Sequence, residues 1–299
     1  MRDFVIITDS CSDLEKKWRD KYGIRYVANT YSFDGKTVPA SLDWEGVSAK
    51  EFYDIMRGGS RIITSQVNDS EYYKAYEKAI NEGKDILSIS VSTGLSSSYN
   101  VSLRVREEMI KKYPDSKIIC IDTLRACFGL ALLCIRAGEL KEEGKNIDEI
   151  AQWIEKNKQN VHQEGTVDKL VYLKQAGRIS ATSAFFGGLL NIKPLIISDI
   201  RGKNVAVEKV KGRRQSFLRI AERIKERITD VSYQKIYIGH ADCLDEALEL
   251  KNIILDVIPN KNVDIYLAYI GQMVGASVGP GMLGIYFWGT KETFDSEAK

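Results

Sequence analysis

The stretch Leu87–Met109, LSISVSTGLSSSYNVSLRVREEM, constrains the fold more than any other part of the chain. Apolar and small residues alternate into a loop of Ser, Thr and Gly, and a helical pattern follows. The same order recurs at Phe4–Ser10, FVIITDS, where Asp9 and Ser10 suit the cap of a helix expected over Cys11–Tyr22. It recurs again at Lys117–Thr123, KIICIDT, before the apolar run RACFGLALLCIRAGELKEEG. Strands that alternate with helices pair in parallel through crossovers, so the first half reads as a parallel sheet covered by helices. Ile24–Phe33 reads as extended, Asp34–Lys36 as a hairpin-type turn, and Ser48–Gly59 as a helix closed by its two glycines.

After Asn146–His162, an amphipathic helical pattern, the signals mix. Gly165–Ser180 and Phe185–Val210 combine helix and hairpin features, and a long helix is expected over Arg213–Ile228. The expectation is an α/β protein of two domains. Residues 1–160 form a parallel-sheet N-terminal domain, and residues 161–299 a mixed α/β C-terminal domain with some antiparallel pairing.

Composition bounds the function. With 43 basic and 41 acidic residues, the formal charge of +2 gives no nucleic-acid footprint. The five cysteines are odd in number and form no C-x-x-C pair, so neither a disulfide framework nor a metal site is expected. No apolar run approaches the ~20 residues that span a bilayer. Met1 leads almost directly into a strand, which gives a cytoplasmic expectation without a secretory leader.

Candidate chemistry gathers in loops. Ser92–Ser98 lies between a strand's carboxyl end and a helix's amino end, where open α/β sheets bind ligands and helix N–H groups favour an anion. It lacks the lysine and spacing of a P-loop, so a single carboxylate suits it better than a triphosphate; an ordinary Ser-rich turn and cap is an equally good reading. Thr64-Ser65-Gln66 offers a second hydroxyl pair, and Asp122-Thr123 a carboxylate better suited to a cap than to catalysis. In Gln175–Ile196, Gly177 breaks a helix, Arg178 follows, and Ser180 suits the cap of the next. Ala184–Leu190 is apolar nearly all round, fitting plain core or the wall of an apolar cavity, and Pro194 is expected to end that helix. Gly275–Gly284 combines four glycines with Ser277 and permits close backbone approach. His162 and His240 show no ligand spacing, no G-x-S-x-G elbow is present, and Cys127 and Cys134 read as core residues. Lys211–Ser216, KGRRQS, places cations at a helix start, against the dipole.

Taken in order, IITDSCSDL, DGK, ITSQ, SISVSTGLSSSYN, IDT, GRISATSAFFGGLLNIKPLI, IGHAD and GPGMLGIYF resemble the DegV family, the fatty-acid-binding subunits that work with bacterial fatty acid kinase. The resemblance runs nearly end to end. It implies a two-domain DegV-like α/β fold that binds a long-chain fatty acid as ligand, with no cofactor and no catalysis of its own. The carboxylate would rest on Thr64, Ser96, Ser97 and Ser277, and the tail in an apolar tunnel. A separate fatty acid kinase would then form the acyl phosphate, in fatty acid metabolism and phospholipid synthesis. Arg178, Lys211 and Arg213 are the candidates for docking that kinase, and transient membrane contact is compatible with the role. This chain departs from the family in four places: Ser97 replaces a glycine, Ser277 a histidine, Val278 a threonine, and Lys211 an arginine near the last long helix. The rival reading is an enzyme or sensor that binds a small carboxylated or phosphorylated metabolite at the Ser-rich loop, with Asp122 in the site.

Overall fold

The computed structural model describes residues 2–179 and 191–298. The expected Ser180 cap and the Ala184–Leu190 apolar run lie outside the described residues. Four parallel strands form the first sheet, in spatial order Arg25–Val27, Phe4–Asp9, Asp85–Ser90 and Ile118–Asp122. Chain direction diverges on either side of Phe4–Asp9, so the switch point lies between that strand and Asp85–Ser90. The second sheet has six strands, ordered Asn204–Lys211, Ile192–Ser198, Val161–Thr166, Leu283–Trp288, Lys235–His240 and Asp264–Tyr269. All its pairs are antiparallel except the last. A small antiparallel sheet joins Lys36–Pro39, Thr30–Phe33 and Ile63–Ser65.

Four local expectations change. The helix expected over Cys11–Tyr22 begins only at Lys16, because a tight turn at Ser10–Ser12 and a left-handed Asp13 precede it. Ile24–Phe33 is not one strand, because the chain leaves the parallel sheet after Val27, buries Asn29, and enters the small sheet at Thr30. Val161–Thr166 is a strand rather than the end of the preceding helix, which stops at Asn157. Pro194 sits within a strand. The sheet tolerates it there because the Val161–Thr166 partner pairs only with Leu195–Ile197, so Pro194 has a neighbour on one side alone.

Helix Cys127–Glu142 is apolar around most of its circumference and is buried almost throughout. It touches strands of both large sheets. One buried cluster accordingly runs from Phe4, Ile6, Leu87 and Ile121 through Leu130, Leu133 and Ala137 to Val161, Tyr237 and Tyr286. A helix that is hydrophobic all round is stable only with apolar neighbours on every side, and here the two sheets supply them. Among the described residues no helix is long and apolar enough to cross a membrane.

Leu133 is fully buried in this helix. Leu133→Ala is expected to lower the unfolding free energy by about 3 kcal/mol in guanidinium titrations, through lost transfer energy plus the cavity left behind. A loss below about 1 kcal/mol would mean that the site between the sheets collapses freely.

Candidate functional site

The loops after Phe4–Asp9 and Asp85–Ser90 flank the switch point, and Asp9 ties them together. Its carboxylate accepts from the Cys11 N–H at 2.9 Å and the Val91 N–H at 2.8 Å. Within the second loop Ser92 is the hub, with no solvent exposure. Its N–H donates to Arg125 O at 2.9 Å, while its own carbonyl accepts from the N–H groups of Leu95 and Ser96, each at 3.0 Å. Ser96 and Ser98 share a hydroxyl–hydroxyl bond of 3.0 Å. Asn29 then donates from Nδ2 to Ser98 Oγ at 3.2 Å and to Ser65 O at 3.3 Å, and its Oδ1 accepts from the Ser10 hydroxyl at 2.9 Å. This hydroxyl–amide chain fixes the loop against the strand that carries Thr64.

The neighbouring crevice, between the loops after Asp85–Ser90 and Ile118–Asp122, is filled by the chain itself. Gly202, from the turn between Ile192–Ser198 and Asn204–Lys211, accepts the Ser92 hydroxyl at 2.8 Å. Asp122 is committed to the same region: it accepts the Thr93 hydroxyl at 2.5 Å and the Leu124 N–H at 3.0 Å. It holds a turn there.

On the switch-point side a cavity opens. Its polar lining includes Asn29, Thr64, Gln66, Ser96, Gln163 and Ser277, and its apolar walls include Leu95, Leu173, Ile196, Met273, Met282 and Tyr286. Thr64 comes from Ile63–Ser65, Ser96 from the Ser-rich loop, and Ser277 from helix Gln272–Val278. The three share one space. Ser97 is exposed and lies outside the cavity lining, and the buried hydroxyl next to Ser96 is that of Ser98. A second space, lined by more exposed residues such as Arg61, Ile63 and Lys169, adjoins the cavity, and Thr64, Arg178 and Ser277 line both. These residues form the neck between an apolar-walled interior and an outer opening. The opening carries Arg61, Lys169 and Arg178, and no acidic residue lines it among the described residues.

Arg178 follows Gly177, which ends helix Val171–Ala176 in the left-handed conformation at φ 67°. Its Nε donates to Leu95 O at 3.2 Å, so it braces the Ser-rich loop. Lys211 is exposed at the end of its strand. Arg213 is committed within the fold: its Nε and one terminal nitrogen meet the Glu246 carboxylate at 3.1 and 2.7 Å, and that nitrogen also donates to Gly281 O. Sequence patterns did not single out Asn29, Gln163 or the neck position of Arg178. A polar residue between two strand signals, as in Val27-Ala28-Asn29-Thr30, was the available clue to the first.

With this geometry, comparison with known proteins is direct. The model of the DegV family, described there as an uncharacterised protein family, matches residues 3–289. The chain belongs to the DegV family. A DegV domain-containing protein of Clostridium perfringens is 39% identical over 293 residues, covering 98% of this chain and 100% of that one. Among solved structures, a DegV lipid-binding protein of Thermotoga maritima superposes with a TM-score of 0.84 at 25% identity, covering 97% of this chain and 100% of the other. DegV of Bacillus subtilis, a fatty-acid-binding protein, superposes with a TM-score of 0.81 at 25% identity and the same coverage.

Beneath the cavity wall formed by Cys11 and Tyr286, Asp13 is buried beside Cys127 and Gly271. Burial, reinforced by the nearby Asp9 charge and opposed by the Cys127 and Gly271 contacts, pushes its carboxyl up to about 7. A carboxyl raised in the folded state binds its proton more tightly there than in the unfolded chain. Its contribution to stability is therefore full below the unfolded pKa near 3.8 and is lost as pH rises toward about 7. Asp13→Asn is expected to raise the melting temperature at pH 8 relative to wild type by more than at pH 5. Equal shifts at the two pH values would contradict this.

Proposed function

We propose that this chain is a fatty-acid carrier. One observation carries the reading: Thr64, Ser277 and Arg178 ring the neck between an apolar-walled cavity and an open cationic mouth. An amphiphile with a single anionic end fits such a space, tail inward and carboxylate at the neck. Hydroxyl donors and a guanidinium suit one delocalised negative charge, and Ser96 adds a further hydroxyl from the loop. The tail needs only apolar walls, and burial contributes about 0.8 kcal/mol per methylene. The solved DegV relatives described as lipid-binding and fatty-acid-binding proteins point the same way.

On this reading the chain performs no catalysis and uses no cofactor. It presents the carboxylate at the mouth to a separate fatty acid kinase, which forms the acyl phosphate. Residues 1–160 supply Thr64 and Ser96, while residues 161–299 supply Ser277, Arg178 and much of the apolar wall. The mouth, which carries Arg61, Lys169 and Arg178 and no acidic residue among the described residues, supports docking of an acidic kinase surface. Ile63 and Val171, 55% and 45% exposed on the same mouth, support transient contact with a membrane that supplies the fatty acid. Apolar walls and the commitment of Asp122 to its turn weigh against a small-metabolite enzyme.

The double substitution Thr64→Val with Ser96→Ala is expected to weaken fatty-acid binding by about tenfold or more in a fluorescence displacement titration, each lost hydrogen bond contributing about 1 kcal/mol. The far-ultraviolet circular dichroism is expected to stay that of wild type. Unchanged affinity in the folded double variant would overturn the head-group assignment.

A further inference from the structure

The turn Asp199–Gly202 belongs to the second sheet but lies against loops of the first. A Cβ on Gly94 would stand 2.8 Å from Gly202 O. A Cβ on Gly202 would stand 2.0 Å from Ser92 Oγ and 2.8 Å from Leu124 Cα, and its φ is +71°. The crevice admits one backbone and no side chain.

A buried carboxylate shapes this turn. Asp199, with no exposure, accepts through Oδ1 from the N–H groups of Arg201 and Lys203, each at 2.9 Å. Through Oδ2 it accepts the Ser296 hydroxyl at 2.5 Å. Ser296 belongs to the C-terminal segment, which crosses the back of the turn. There the Ile200 N–H donates to Phe294 O at 3.0 Å, and Arg201 meets both oxygens of Asp295 at 2.7 and 3.0 Å. Glu297 faces Arg201 at 3.2 Å and also pairs with Lys203. Direct contacts thus lead from Ser296 to Asp199, through the turn to Gly202, to Ser92, and from the Ser92 carbonyl to the Ser96 N–H. None of these contacts except the last involves a residue that lines the cavity.

We propose that Asp199, Gly202 and Ser296 are positioning residues for the carboxylate site: the C-terminal segment straps the turn that aims the Ser96 end of the loop. This rests on the fatty-acid reading above. Hydrogen-bond donors recognise a carboxylate by orientation, so a small displacement of the loop costs head-group recognition and leaves tail burial intact.

The test compares hexadecanoic acid with its methyl ester, which keeps the tail and lacks the charge. Wild type is expected to bind the acid more tightly. Ser296→Ala combined with Asp295→Asn, and separately Gly202→Ala, are expected to lower acid affinity about three- to tenfold while ester affinity changes by less than about twofold. Met282→Ala, in the apolar wall, is expected to weaken both ligands alike. An unchanged acid-to-ester ratio in the strap variants would overturn the proposal, as would an equal loss for both ligands. Should Gly202→Ala fail to fold, the Ser296 and Asp295 variant, altered at the partly exposed strap, decides alone. A wild type without preference for the acid would overturn the head-group reading itself, a failure visible before any variant is made.

Discussion

The carbonyl of Gly202 ties the two large sheets together in the crevice beside the switch point, between the loops after Asp85–Ser90 and Ile118–Asp122. It takes the Ser92 hydroxyl at 2.8 Å and fills the crevice between two loops. On the switch-point side of the Ser92 loop lies the cavity, lined there by Cys11, Val91, Leu95 and Ser96. That side is roofed by helix Gln272–Val278 with Met273 and Val278, the turn at Met282, and Tyr286 of the second sheet.

The same tie explains the composition of the Ser-rich loop. Its hydroxyls divide between two tasks. Ser92 and Thr93 hold backbone and Asp122, and Ser98 meets Asn29, while Ser96 lines the cavity. Turn bonds account for Ser92, Thr93 and Ser98, Ser97 at the helix start makes no side-chain cap bond, and the proposed ligand reading rests on Ser96 within this loop. Phosphate chemistry is disfavoured by the loop's missing lysine and by the crevice that Gly202 occupies.

Much of the architecture was legible because it is local. Phe4–Asp9, Asp85–Ser90 and Ile118–Asp122 are short apolar runs bounded by polar turns, and each shows its state without distant partners. The break at Ala28–Asn29 was not legible, since nothing local says that the chain changes sheets there. Pro194 misled for a related reason: its place in a strand depends on which neighbour ends before it. In the site, the motifs of the family drew attention to Thr64, Ser96 and Ser277, whose shared cavity is a tertiary fact. Asn29, Gln163 and the neck position of Arg178 are held by contacts across 36 to 83 positions of sequence, which no motif encodes.

In the proposed carrier, the cavity holds the tail of a fatty acid. Native mass spectrometry of freshly purified protein, never delipidated, alongside mass spectrometry of its organic extract, tests it most directly. One free fatty acid per chain, released intact by the solvent, is the expected result. A protein that emerges empty, and stays empty when offered fatty acids, would contradict it.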